Sequence, residues 1–388
     1  MGANFRDAVA IAGVAESEVG VLPHRTEMQL HAQAAKRALD DAGIGLAEVD
    51  GVLSIGSSRG TRMPSVQVAE YLGIMPSYSD STSLGGCSFE AYVQHAAFAI
   101  DAGLCNTCLI TYGSTQRSGG AGFGGGTDPW LAASQFETPF GLPMMTGAHA
   151  LAASRHMHLY GTTRAQLADI AVAARKWAQL NPAAPRHEDL TVEDVLSAPM
   201  IASPLGKFDC CLVTDGGGAV VVTRSDRARD ARQPPVWLWG SAETHTHSSI
   251  ANMPDLTVTP AARTGPAAFK SAGLMPSNMD LAMIYDSFTI TALMTLEDLG
   301  FCAKGEGGDF VSGGRIAPKG DFPMNTQGGG LSYTHPGMYG IFLIVEAVRQ
   351  LRGEADARQV SADLALVHGT GGALSAGSTL ILGKEPRR

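Results

Sequence analysis

Residues 38–55, ALDDAGIGLAEVDGVLSI, and residues 268–285, AFKSAGLMPSNMDLAMIY, say nearly the same thing at two distant places in one chain. Laid side by side without a gap, Ala38, Ala42, Gly43 and Asp50 fall opposite Ala268, Ala272, Gly273 and Asp280. Apolar residues coincide at 39 and 269, 44 and 274, 49 and 279, and 52–53 and 282–283. Each copy reads as the end of an amphipathic helix, a glycine stop, a short polar turn and an apolar strand. The echo runs on downstream. Gly85-Gly86 opens a helix in the first half, as Gly328-Gly329-Gly330 opens one in the second. CLITYG at 108–113 is answered by ALVHG at 365–369, and GGAVVVT at 217–223 by GSTLILG at 377–383. Solenoid repeats have periods of about 20–50 residues, far shorter than this spacing. The pattern is that of a duplicated α/β unit.

A length of 388 residues suggests two or three domains, at about 100–200 residues each. The charged run from Arg224, ending in Pro234-Pro235, divides the chain into 1–225 and 236–388, and residues from about 115 to 215 read as an insertion into the first half. Further strands are expected at 8–15, 50–56 and 236–242, and helices at 27–42, 88–102, 147–160, 163–179 and 337–352, with Thr162 as a cap.

A net charge of −9 and the lack of a basic stripe argue against a nucleic-acid partner. The N-terminal MGANFRDAVAIAGVAES is not a signal peptide, and MYGIFLIVEAV at 338–348 is too short to span a bilayer. No membrane association is expected, and the location implied is cytoplasmic. Six cysteines at 87, 105, 108, 210, 211 and 302 then read as reduced thiols. Cys105 and Cys108 form a C-x-x-C without a second pair at zinc-site spacing, so no metal is expected. Gly120, Gly122 and Gly125 make a nominal G-x-G-x-x-G, but Thr127-Asp128-Pro129 follows in place of a helix. A dinucleotide site does not fit that context.

Two places carry chemistry. Gly85-Gly86-Cys87-Ser88 sets a thiol at a helix start, where the helix dipole and free N–H groups lower a thiol pKa and make a nucleophile toward a thioester. His335 precedes Pro336, a residue suited to a first helical turn, and histidine is the natural proton carrier near neutral pH. The duplication would bring two such helix starts face to face.

Four motifs in order resemble the thiolase superfamily. They are the Cys87 turn, Tyr285-Asp286-Ser287-Phe288, the stretch Gly329 to Pro336 (GGLSYTHP), and His368-Gly369-Thr370-Gly371-Gly372. The resemblance covers essentially the whole chain, and LEDLGFCAKGEGG and HPGMYG place it nearest the lipid-transfer and sterol-carrier branch. It implies a duplicated fold with two similar halves in αβαβα layers. It also implies a coenzyme A thioester as substrate, no permanently bound cofactor, and a homodimer. A separate OB-fold, zinc-ribbon protein would help to bind the acyl-CoA. The glycine-rich 115–147 region would serve the acyl pocket and subunit contact, and Gly369, Gly371 and Gly372 would lie at the coenzyme.

Departures from the family pattern bear on mechanism. The second cysteine of working thiolases falls on Gly369, and the asparagine of the second motif is Asp286. An ungapped count back from Gly103 puts the nucleophile's position on Gly86, whereas a one-residue shift puts it on Cys87. Three readings follow. In the favoured one, Cys87 takes an acyl group, His335 handles the proton, and Asp286 or His368 replaces the lost cysteine. In the second, a retro-aldol lyase splits a β-hydroxyacyl-CoA without a covalent intermediate, using Tyr285, Asp286, Tyr339 and His335. In the third, the chain binds acyl-CoA without catalysis.

Overall fold

The computed structural model describes residues 9–56, 62–120, 135–142 and 144–387. In the first copy of the repeated stretch, helix α1 (Glu27–Ala42) starts on a capping box in which Thr26 and Gln29 bond each other's backbone N–H. It buries Leu30, Ala34, Ala35, Ala38, Leu39 and Ala42 and stops at Gly43, whose φ of 71° suits a left-handed cap. The chain then enters strand β2 (Gly51–Ser54). The second copy repeats this step by step: α6 (Ala261–Ala272), Gly273 at φ 70°, then β9 (Leu281–Ile284). The matched aspartates do matched work. Asp50 accepts from the N–H groups of Asn106 and Thr107 leading into β4 (Thr107–Ser114), and Asp280 accepts from those of Asp363 and Leu364 leading into β10 (Leu364–Gly371).

The strands are β1 (Val9–Glu16), β2, β3 (Tyr78–Asp80), β4 (Thr107–Ser114), β5 (Met200–Ala202), β6 (Leu205–Gly206), β7 (Gly216–Arg224), β8 (Val236–His245), β9, β10 (Leu364–Gly371) and β11 (Ala376–Gly383). Nine of them form one mixed sheet in the order β3-β2-β4-β7-β1-β8-β11-β10-β9, and β5 and β6 pair separately. Outward from the centre, β1-β7-β4-β2 and β8-β11-β10-β9 show the same succession of two antiparallel pairings and one parallel pairing. Residues 51–54 and 281–284 thus hold equivalent places. Among the described residues the two sets are joined in the sheet by the pairing of Ala10 with Trp237 and of Ile11 with Val236.

Helices complete the layers. The longer ones among the described residues are α1, α2 (Pro64–Leu72), α3 (Ser88–Asp101), α4 (Met144–Tyr160), α5 (Arg164–Ala178), α6, α7 (Thr289–Asp298) and α8 (Gly340–Arg352). α1 packs on β1, β4 and β7, and α6 on β8 and β11, while α3 and α8 touch each other and strands of both sets. The outer packing is close: a side chain on Gly13 would meet the Ala38 carbonyl at 2.2 Å, and one on Gly240 the Ala268 carbonyl at 2.5 Å. α3 is buried on nearly every side, as an apolar helix between two sheet surfaces must be. Among the described residues no helix is long and apolar enough to cross a membrane.

Some expectations shift. Thr163, not Thr162, caps α5, while Thr162 bonds the His156 ring. Gly328–Gly330 leads into a wide turn at Gly329–Tyr333, and the helix begins only at Gly340, so His335 sits on the connector and not at a helix start. α2 and β3 had no counterpart in the sequence reading. Residues 121–134 and 143 of the 115–147 region assigned to the acyl pocket, Gly122 and Gly125 among them, lie outside the described residues.

Candidate active site

The turn ahead of α3 and the end of β9 meet from opposite strand sets. Gly86 packs so closely on Tyr285 that a side chain there would lie 2.5 Å from the phenol oxygen and ring. Tyr285 therefore fills the volume that a residue-86 side chain would otherwise occupy. Its oxygen lies 3.0 Å from His335 Nε2 and accepts a hydrogen bond from the Tyr339 N–H at 3.1 Å. The His335 ring stands edge-on to Tyr285 and stacks on Tyr339. Burial lowers the His335 pKa to about 4 and raises that of Tyr285 well above its ordinary value. Both are neutral at physiological pH, so one proton is shared between a phenol oxygen and an imidazole nitrogen.

These groups border a cavity of about 270 Å³, whose wall includes Gly86, Tyr285, His335, His149, Thr370 and Gly372, with Met145, Phe288 and Met338 as apolar lining. His149 stacks on Phe288 with ring centres 4.2 Å apart. Its Nδ1 donates to the Met145 carbonyl at 2.7 Å, which leaves Nε2 as a bare acceptor in the neutral ring. Burial holds that ring's pKa down at about 4.

Cys87 does not join this cavity. Its thiol donates to the Leu84 carbonyl at 3.2 Å, it is fully buried, and burial pushes its pKa well above the ordinary value. The expected meeting of Cys87 and His335 is thus replaced by the meeting of Gly86, Tyr285 and His335. Of the turn Gly85–Cys87, Gly85 and Gly86 line the cavity, and a side chain at 86 would meet Tyr285.

The other sequence candidates divide as follows. Asp286 is buried behind the cavity and accepts from the N–H groups of Gly330 and Leu331, pinning the turn that leads to His335. Burial raises its pKa to about 7 despite those bonds. The Tyr339 hydroxyl is bonded to Gln327 at 2.6 Å, so this residue contributes its backbone N–H and its ring. His368 bonds Thr379 inside the sheet at 2.8 Å and is absent from the cavity wall. Burial lowers its pKa to about 3, so it stays neutral. Of the three glycines of the last motif, Gly372 lines the cavity, while Gly371 packs against Leu84 and Gly369 against Glu90 and Cys87.

Sequence reasoning missed Glu90, His149 and Thr370. Glu90 carried a signal, as a lone acid near the start of an apolar helix. Its carboxyl fills the space where a Gly369 side chain would stand, 2.3 Å from that Cβ position, and among the described residues neither oxygen has a hydrogen-bond partner. Burial raises its pKa to about 8. His149 had no such signal, since it lies in a helix with no clear apolar face.

Residues 242–384 match the family model described as Thiolase C-terminal domain-like. The steroid side-chain-cleaving aldolase of Thermomonospora curvata is 35% identical over 368 residues, covering 89% of this chain and 90% of that one. The 17-hydroxy-3-oxo-4-pregnene-20-carboxyl-CoA lyase of Mycobacterium tuberculosis is 35% identical over 364 residues, covering 89% and 91%. The solved structure of an Ltp2-ChsH2(DUF35) aldolase superposes with a TM-score of 0.89 at 32% identity, over 98% of both chains. The chain is a thiolase-fold enzyme and belongs to the thiolase superfamily, in its sterol-carrier-type branch.

Proposed function

We propose that this enzyme cleaves a β-hydroxyacyl-CoA by retro-aldol chemistry, without a covalent intermediate. The observation that carries the reading is the Tyr285 oxygen standing where a residue-86 side chain would be, paired with His335. The Tyr285–His335 pair takes the substrate hydroxyl proton, and the Cβ–O bond becomes a carbonyl as the Cα–Cβ bond breaks. The electron pair of that bond enters the thioester as an enolate, and the pair returns the proton to Cα. The products are a ketone or aldehyde and a shorter acyl-CoA. Two relatives with about one third identity bear aldolase or lyase names, which favours cleavage over acyl transfer. Cys87, held on Leu84, has no part in this scheme.

We carry three further expectations with this reading: coenzyme A thioester as substrate, a homodimer, and a separate acyl-CoA-binding protein. The last is supported by the DUF35 component that the solved aldolase carries in its name.

The test is cleavage of β-hydroxyacyl-CoA thioesters by the purified chain, alone and with such a partner, followed by release of a carbonyl product. Tyr285→Phe should cost roughly 10²–10⁴-fold in kcat, the usual range for lost proton transfer, and Cys87→Ala should stay within a few-fold of native. An acyl adduct on the native protein, together with an inactive Cys87→Ala, would restore the thiol mechanism and overturn this one.

A further inference from the structure

A retro-aldol cleavage needs more than a group to take the hydroxyl proton. When the carbon–carbon bond breaks, negative charge collects on the thioester oxygen, and a donor preset at that oxygen lowers the barrier more than one that must reorganise. In the cavity described above, the Tyr285 oxygen and His335 Nε2 are already engaged with each other. The bare Nε2 of His149 can accept but cannot donate. One hydroxyl on the same wall has no partner. Thr370, near the end of β10 beside Gly371 and Gly372, is buried, and its Oγ1 makes no hydrogen bond among the described residues. A buried hydroxyl left without a partner is unfavourable. That cost is recovered if a ligand atom in the cavity accepts its proton.

We propose that Thr370 is a catalytic residue, donating its hydroxyl hydrogen to the thioester oxygen of the bound acyl-CoA and holding the enolate that C–C cleavage produces. The assignment rests on the retro-aldol reading and names its oxyanion donor. No proton leaves Thr370. It supplies a hydrogen bond that shortens and strengthens as the oxygen becomes anionic, while the moving proton stays with Tyr285 and His335. The β10 position suits this role, since a strand residue held in a ladder cannot swing away: Thr370 faces Gly377 in the β10–β11 pairing.

The experiment uses two readouts of the enolate on the full chain, with Thr370→Val and Thr370→Ser beside native. One readout is cleavage of a β-hydroxyacyl-CoA. The other is exchange of the α-proton of a plain acyl-CoA in heavy water, which forms the same enolate without cleaving anything. Thr370→Val should lower both rates about 100-fold, the order seen when one oxyanion donor is removed, with little change in the affinity for acyl-CoA. Thr370→Ser should return both rates to within a few-fold of native. Because the hydroxyl bonds nothing in the free protein, Thr370→Val should not lower the melting temperature. Native rates in Thr370→Val would overturn the proposal, as would a valine variant that loses rate and melting temperature together. So would a native enzyme that catalyses no exchange. If native protein exchanges the α-proton, with the expected loss in the valine variant, yet never cleaves, Thr370 keeps its role and the retro-aldol reading falls.

Discussion

Replacing Glu90 by glutamine should make the protein more resistant to alkaline pH, and the size of the effect follows from the burial of one carboxyl. Glu90 is fully buried, neither oxygen has a partner, and burial lifts its pKa from 4.5 to about 8. In the unfolded chain the group ionises near 4.5, whereas in the folded chain it stays protonated to about pH 8. A group whose pKa rises on folding contributes stability that is complete below the unfolded value and lost as pH climbs through the folded one. Each pH unit in that window is worth about 1.36 kcal/mol, and with partial ionisation at its two ends about 3.5 kcal/mol should vanish from native protein between pH 5 and pH 8. Glutamine keeps the shape and cannot ionise. Urea unfolding of both proteins at pH 5, 6, 7 and 8 isolates this group, because the buried histidines titrate equally in both and cancel in the difference. Glu90→Gln should gain on native by about 3.5 kcal/mol across the series. Parallel stability curves would refute the reasoning and mean that Glu90 has found a partner or water.

Gly86→Ala should force its methyl into the Tyr285 ring and hydroxyl and remove at least about 100-fold of activity, if proton transfer depends on that oxygen; an unchanged circular dichroism spectrum would show that the fold survives. Cys87→Ala should retain turnover within a few-fold, read by steady-state kinetics, because its thiol bonds only the Leu84 carbonyl. His95 lies 2.6 Å from Asp80 and 3.0 Å from Glu243, and its pKa rises to about 9 because those carboxylates outweigh the effect of burial. The stability it contributes should be complete below about pH 6.5 and fade as pH rises through 9. His95→Asn should remove that alkaline fade in thermal unfolding.

The duplication was legible because it rests on local physics repeated twice. An alanine face lets a helix approach a strand, a glycine ends that helix, and an aspartate ties down the next strand, as Asp50 and Asp280 both do. His335 and Tyr285 were also legible as members of motifs. The one-residue choice between Gly86 and Cys87 was not, although the ungapped count pointed to 86. On a tight turn the outward direction depends on backbone torsions that no periodicity encodes. His149 and Thr370 escaped for a different reason. Each looks ordinary in sequence, and what distinguishes it is a hydrogen-bonding atom left empty by partners far away in the chain. The helix start expected at His335 failed because Gly328 and Gly329, both with positive φ, admit a wide turn before α8 can begin.

Among the described residues the two strand sets are hydrogen-bonded to each other through one short ladder, Ala10 with Trp237 and Ile11 with Val236, while the cavity takes Gly86 from the first half and Tyr285 and His335 from the second. A chain whose sets have each formed, but have not yet closed on α3 and α8, would possess its strands and helices without possessing a site. Far-ultraviolet spectroscopy would count such a molecule as folded, and an activity assay would count it as absent. During refolding, recovery of the catalytic signal should therefore lag behind recovery of secondary structure. The length of that lag measures the closing of the seam.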